Sequence, residues 1–162
     1  MRDQIVPEKQ EKPLQDELRQ ASLQHFVLAA QWGGRAGARL RPALVLDAAH
    51  ELWNVCLPFM GAAVTRRLLA QPLREVLLEL ANANETKDLS FRVRLYRLLF
   101  QCFSDKEDWA GGLAVVDEAF QQIPQALQKS LWEARVVFSS KLGKDVAAGL
   151  HKMKEGDPSV QA

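Results

Sequence analysis

Between Leu89 and Pro124 the chain carries two stretches of helical periodicity on either side of one short polar break, and this feature most constrains its fold. In the first stretch Tyr96, Leu99 and Phe103 stand at i, i+3 and i+7, and Val93 one turn earlier extends the stripe. Ser104 to Asp108 interrupts it with small and charged residues. In the second stretch Trp109, Leu113, Val116, Phe120 and Ile123 recur on one helical face, and Pro124 closes the run by withholding the next backbone donor. Each helix has one apolar face that it cannot bury alone. The pattern therefore predicts a helical hairpin that is one unit of a stack.

The rest of the chain agrees with a helical reading. Leu and Ala supply 24 and 21 residues against 17 for Val, Ile and Thr together, so intrinsic propensity favours helices throughout and an all-α chain is expected. The 162 residues suffice for about four hairpins, or about eight helices. A hydrophobic share of 48% beside 25% charged residues excludes wholesale disorder. A net charge of +1 gives no long-range field that would draw nucleic acid or a membrane as the main partner. No apolar run approaches the roughly 20 residues of a membrane span, and the polar opening MRDQIVPEKQEK lacks the apolar centre of a signal peptide, so a cytoplasmic location is expected. Cys56 and Cys102 lie inside apolar helical runs, which suits buried, reduced thiols rather than a disulfide.

Taken in order, residues 1–12 read as a flexible arm, and Pro13 suits the first turn of a helix that runs to about Gln31 through Leu18, Ala21, Phe26, Leu28 and Ala29. The breadth of that apolar pattern predicts burial on two sides. Residues 32–41 set three glycines among three arginines and read as a long loop. Pro42 opens a second helix, carrying Leu46, Ala49, Leu52, Trp53 and Cys56 as far as Pro58. A shorter segment follows from Phe59 to Ala70 with Val64, Leu68 and Leu69, and Pro72 either separates or kinks what continues through Leu73, Val76, Leu77 and Leu80. After the central hairpin, Leu127, Leu131, Ala134 and Phe138 form another helix, and Val146, Ala147 and Leu150 its partner beyond Gly143. The repeat domain is thus placed at 13–155, with an open polar end at 156–162. Phe103 to Phe138 and Gly112 to Ala147 are each separated by 35 residues, and Pro124 to Pro158 by 34, a spacing typical of stacked hairpins.

Nothing in the chain has the pattern of an active site, so no enzyme, cofactor or metal is expected. The glycine and arginine loop lacks the Gly-Lys-Ser/Thr that would follow a phosphate cradle, and no strand precedes it. His25, His50 and His151 fall in different helices without metal-ligand spacing. Glu75, Glu79 and Glu85 read as a solvated helix flank, and Ser139 and Ser140 sit in no nucleophile elbow. Arg92, Arg94 and Arg97, like Arg66, Arg67 and Arg74, form either a solvated face or a recognition surface for an acidic peptide, since arginine forks bind carboxylates in bidentate fashion.

The central hairpin resembles the tetratricopeptide repeat. Tyr96 stands at the motif's aromatic, Leu99 at its leucine, Phe103 at its second aromatic, Gly112 and Ala119 at its small residues and Pro124 at its closing proline; Asp108 and Trp109 match its acidic-aromatic turn. Val116 replaces the usual aromatic, and Phe100 stands where the motif prefers a small residue, so packing against the preceding hairpin is expected to be looser or shifted. Leu131, Ala134, Phe138 and Ala147 give a weaker match in the next hairpin. The stretch ELWNVCLPF, Glu51 to Phe59, with the irregular spacing around it, is similar to sections of the very large repeat proteins of cilia and flagella, notably one of the axonemal central apparatus. The resemblance implies an α-solenoid of antiparallel helix pairs that acts as a protein-interaction scaffold in the axoneme of motile cilia, with axonemal or cytoskeletal proteins as partners. The rival reading is a soluble peptide-binding adaptor such as a chaperone cofactor. In either case the resemblance places a peptide groove at Arg94, Arg97, Gln101, Lys129 and Trp132, with the cations drawing an acidic segment and Trp132 as apolar anchor. The two helices of this hairpin are expected to approach closely at Gly112, while Gly111 on the neighbouring face should accept alanine.

Overall fold

Helix-forming segments broken by prolines and short polar turns give a chain built of consecutive helices. The computed structural model describes residues 17, 18, 20–25, 28 and 42–155, and among them every regular element is helical and no strand occurs. Residues 17–25, residue 19 apart, and residue 28 are helical. There follow α1 (Pro42–Cys56), α2 (Ala63–Arg66), α3 (Ala70–Asn82), α4 (Leu89–Asp105), α5 (Trp109–Gln122), α6 (Lys129–Lys141) and α7 (Ala147–Glu155). The expected arm at 1–12, the loop at 32–41 and the open end at 156–162 lie outside the described residues.

The boundaries have local causes. Helices α3, α4 and α6 each end with a residue in the left-handed region: Asn84 at φ 49°, Glu107 at φ 56° and Gly143 at φ 67°. In each the next amide reaches back to a carbonyl of the last turn, Glu85 N to Leu80 O at 3.2 Å, Asp108 N to Phe103 O at 3.1 Å and Lys144 N to Ser139 O at 2.9 Å. Asp88 then caps α4, its carboxylate accepting from Phe91 N at 2.8 Å, and Asp108 caps α5 by accepting from Gly111 N at 2.9 Å. Asp108 thus closes one helix with its amide and opens the next with its side chain, which makes the α4–α5 turn tight. Helix α5 ends differently: Ile123 is extended ahead of Pro124, as the residue before a proline prefers, and the Gln128 side chain donates to Ile123 O at 2.7 Å.

Several sequence expectations are redrawn. The segment from Phe59 to Ala70 is a 3-10 turn (Leu57–Phe59), the short α2 and a second 3-10 turn (Arg67–Leu69) that runs straight into α3, so Pro72 sits inside the first turn of α3 and no non-helical residue separates it from α2. Ser104 and Asp105 belong to α4, so the polar break starts two residues later than expected. Leu127 falls in a 3-10 turn ahead of α6. Among the described residues before α1, Leu23 is buried while Leu18 and Leu28 are exposed, which withdraws burial on two sides for those residues. Leu150 is 43% exposed and Ala147 is exposed, whereas Gly149 is the buried small residue of α7, so the 35-residue pairing of Gly112 with Ala147 is not reproduced in burial.

Consecutive helices pack on one another from α3 to α7, and α4 also touches α6 across the intervening hairpin. The apolar stripes of the central hairpin are buried as their spacing predicts: Tyr96, Leu99, Phe103, Val116 and Ala119 are all inside, and Pro124 closes the run from an exposed position. Along α5 and α6, Phe120 meets Trp132, Gly112 meets Phe138 and Trp109 meets Lys141, so the two helices run antiparallel.

Gly112 is a point of close approach, but between hairpins rather than within one. A Cβ added there would lie 2.7 Å from the Phe138 ring of α6. Phe138 also lies edge-on to Phe100 at 6.1 Å and against Trp109 at 6.3 Å, so the Phe100 ring reaches the following hairpin. A Cβ added at Gly111 would meet the Asp108 carboxylate that caps α5. Alanine there requires the Asp108 side chain to shift, a cost set against the gain in helix propensity. Gly112→Leu is expected to lower stability by about 1–3 kcal/mol through overpacking against Phe138, seen as a lower urea midpoint with an unchanged slope; an unchanged midpoint would contradict this placement.

Candidate functional site

The five groove residues fall into different surroundings. Arg94, Arg97 and Gln101 stand at i, i+3 and i+7 of α4 and are all exposed, so the helix presents them on one face. Arg94 is committed to a neighbour: its guanidinium lies 5.3 Å from the Phe91 ring and 5.8 Å from the Trp53 ring, joining α4 to α1. Arg97 and Gln101 make no hydrogen bond, ion pair or ring contact among the described residues, and neither does the exposed Lys129. Trp132 is half-buried with its ring 4.5 Å from Phe120 of α5, and Arg135 lies 5.7 Å above it while pairing with Asp117 at 2.8 Å. Trp132 is therefore fastened to α5 rather than standing free as an anchor.

The described tryptophans share an arrangement. Trp53, Trp109 and Trp132 are each half-buried with a cation over the ring, from Arg94, Lys141 and Arg135 respectively. Each large aromatic thus buries its body while a charged neighbour covers part of what solvent would meet. The basic side chains involved are spent on the fold, and Arg97 is the arginine of the predicted groove that stays uncommitted.

Two other arginines read from sequence as members of exposed clusters are structural. Arg92 is 4% exposed, and its Nη2 donates to the Leu80 carbonyl at 3.0 Å and to the Glu85 carbonyl. It comes from α4 to satisfy the end of α3 and the turn that follows. Burial holds its guanidinium below the usual arginine range, against the opposing pull of Tyr96 and Glu85. Glu85, expected on a solvated flank, is 4% exposed and accepts from Lys87 N at 2.8 Å. Arg66 grips Asp105 with two bonds, Nε to Oδ2 at 2.6 Å and Nη2 to Oδ1 at 3.0 Å, and donates through Nη1 to the Met60 carbonyl at 2.7 Å. The end of α4 is thereby fixed to the irregular segment before α3.

Cys56 and Cys102 are free and fully buried. Cys102 Sγ donates to the Arg66 carbonyl at 3.1 Å, and burial pushes each thiol up to about 12. His50 lies 3.6 Å from Asp88 with its ring against Phe91 at 4.2 Å. Among the described residues no group of three or more His, Cys, Asp and Glu side chains is placed to hold a metal ion. No helix of those residues is long and apolar enough to cross a membrane.

Two outcomes follow from these buried groups. Arg92→Met removes the donor from two carbonyls at the α3–α4 turn and is expected to cost about 1–3 kcal/mol, measured by urea denaturation; a loss no larger than that of an exposed Arg97→Met control would contradict the latch. The thiols have folded-state values above their unfolded ones, so they favour the folded state below about pH 9 and that contribution is lost as pH rises toward 12. Iodoacetamide at pH 8 should leave both cysteines unmodified in the native chain and alkylate both in urea; rapid native alkylation of either would contradict their burial.

No protein-family model matches the chain, and no solved structure matches it with significance. The chain is 29% identical over 147 residues to Cilia- and flagella-associated protein 46 of Chlamydomonas reinhardtii. That alignment covers 90% of the chain and 5% of the relative, so the chain spans about 5% of the length of the protein it resembles.

Proposed function

We propose that this chain is a run of tetratricopeptide-type hairpins, stacked as an α-solenoid, in a protein-interaction scaffold of the motile-cilium axoneme, where it takes part in assembling the central apparatus. The observation that carries the reading is the similarity along 90% of the chain to a protein whose name assigns it to cilia and flagella. Three features of the fold support it: antiparallel neighbours α5 and α6, contact of α4 with α6, and the aromatic of one hairpin seated on the glycine of the previous one. On this reading α1 with α3, α4 with α5 and α6 with α7 are the pairs, and the chain works by contact rather than by catalysis. Arg97 and Gln101 supply the donors that an acidic segment of an axonemal partner would meet, since both are exposed and uncommitted.

The reading is tested by expressing a fluorescent fusion of this chain in ciliated cells and extracting the membranes with detergent. Retention along the demembranated axoneme, competed by an excess of the untagged chain, is expected. Complete release into the detergent fraction, with even distribution through the cell body, would overturn it and favour the soluble adaptor.

A further inference from the structure

The segment between α1 and α3 reverses the usual polarity of a folded chain. Thr65 bends its hydroxyl back to the Phe59 carbonyl at 2.9 Å, and Arg66 sends its guanidinium to the Met60 carbonyl and to Asp105 of α4. The aliphatic side chains around them stand in solvent instead: Val64 is 75% exposed, Leu57 52% and Leu68 44%. Val64 and Leu68 are about one helical turn apart along α2 and the 3-10 turn that continues it, so they share a face. The bonds of Thr65 and Arg66 fasten the segment to itself and to α4, so the fold itself holds these side chains outward. Large aliphatic groups gathered in water forgo the burial that stabilises the rest of the chain, and such a cluster marks a contact surface.

Charge specifies what the surface meets. No acidic residue occurs from position 57 to position 74. Of the arginines in that stretch, Arg66 pairs with Asp105 and Arg74 with Glu118, whereas Arg67 is exposed and makes no hydrogen bond, ion pair or ring contact among the described residues. Arg67 stands three residues after Val64 and directly before Leu68, so its free charge lies at the edge of the aliphatic face. An anionic membrane or a nucleic-acid backbone is held by several cations together, and this surface offers one. A second copy of the chain would set two acid-free surfaces, each with its own Arg67, against each other. The complement is a protein segment that carries aliphatic side chains with a carboxylate beside them. A helix supplies both at once, because its i and i+4 ridge can lie along that of Val64 and Leu68.

We propose that this surface docks an acidic amphipathic helix of a partner protein, with its aliphatic stripe on Val64 and Leu68 and a carboxylate on Arg67. The residues are not those of the Arg97 strip, and the argument does not rest on the ciliary reading, so either can fail without the other.

The test is a titration of the methyl-labelled chain, followed by NMR, with a capped peptide of tandem Leu-Glu-Glu-Leu-Leu-Glu-Glu repeats. Saturable shifts centred on the methyls of Leu57, Val64 and Leu68 are expected. Val64→Glu, at a position open to solvent, should keep the urea midpoint and abolish the shifts. Arg67→Glu should raise the dissociation constant roughly 3- to 10-fold at low salt, a difference that shrinks as salt is added. The proposal is overturned if no saturable shift appears up to the solubility of the peptide, if the shifts lie elsewhere, or if Arg67→Glu binds as well as the wild type. It is equally overturned if the peptide with lysine in place of glutamate binds as tightly. Sedimentation showing self-association that Val64→Glu abolishes would assign the surface to a second copy, and pelleting with phosphatidylserine vesicles that Val64→Glu abolishes would assign it to a membrane; either result also overturns the proposal.

Discussion

Phe138 is the side chain on which the union of the last two hairpins depends. A helix pair such as α4 and α5 has more apolar surface than its own two faces can hide, and the surplus must be covered from outside. Phe138 provides that cover at 1% exposure, with Phe100 and Trp109 around its ring and the absent side chain of Gly112 beneath it. Any β-carbon at that glycine would stand where the ring does. Position 112 therefore sets the spacing between α5 and α6, and with it the placement of everything beyond.

The turns hold that spacing by a recurring economy of atoms. Left-handed residues at the ends of α3, α4 and α6 fold the chain back within a few residues, and aspartates at 88 and 108 start the next helix at once. Two arginines then fix neighbouring segments to α4: Arg92 ties the α3–α4 turn to its beginning and Arg66 ties the segment before α3 to its end. Helix α4 is consequently held at both ends and packed along its length, which explains why nine of its residues are buried. Short hydrogen-bonded connections of this kind favour neighbouring helices packed in sequence order over long-range rearrangements.

Much of this was legible in the sequence. The periodicity located the buried faces of the central hairpin, and the prolines and polar breaks located most helix ends to within a residue or two. What periodicity cannot convey is which helix a face meets: the pattern along the chain points Gly112 at its own hairpin, whereas the structure sets it under Phe138. Arg92 shows a different limit. It stands four residues before Tyr96 and seven before Leu99, squarely in the buried stripe, yet its charge argues for solvent and Val93 is the apolar residue beside it. The decisive fact is a pair of carbonyls, Leu80 in the last turn of α3 and Glu85 in the turn after it, which the periodicity of α4 alone cannot show. Of the predicted groove, exposure at Arg94, Arg97 and Gln101 follows from helical spacing, while the seating of Trp132 on Phe120 depends on the antiparallel register of α5 and α6.

The last two hairpins are joined by one aromatic on one glycine, and the coupling between these two positions tests that union most directly. A double-mutant cycle of Gly112→Ala and Phe138→Leu, read from urea denaturation, isolates that coupling. If the Phe138 ring occupies the space above Gly112, the cost of the alanine should fall when the ring is shortened, giving a coupling energy of about 0.5–3 kcal/mol. Strictly additive effects would show that the two residues do not touch, and would contradict the way these hairpins are joined.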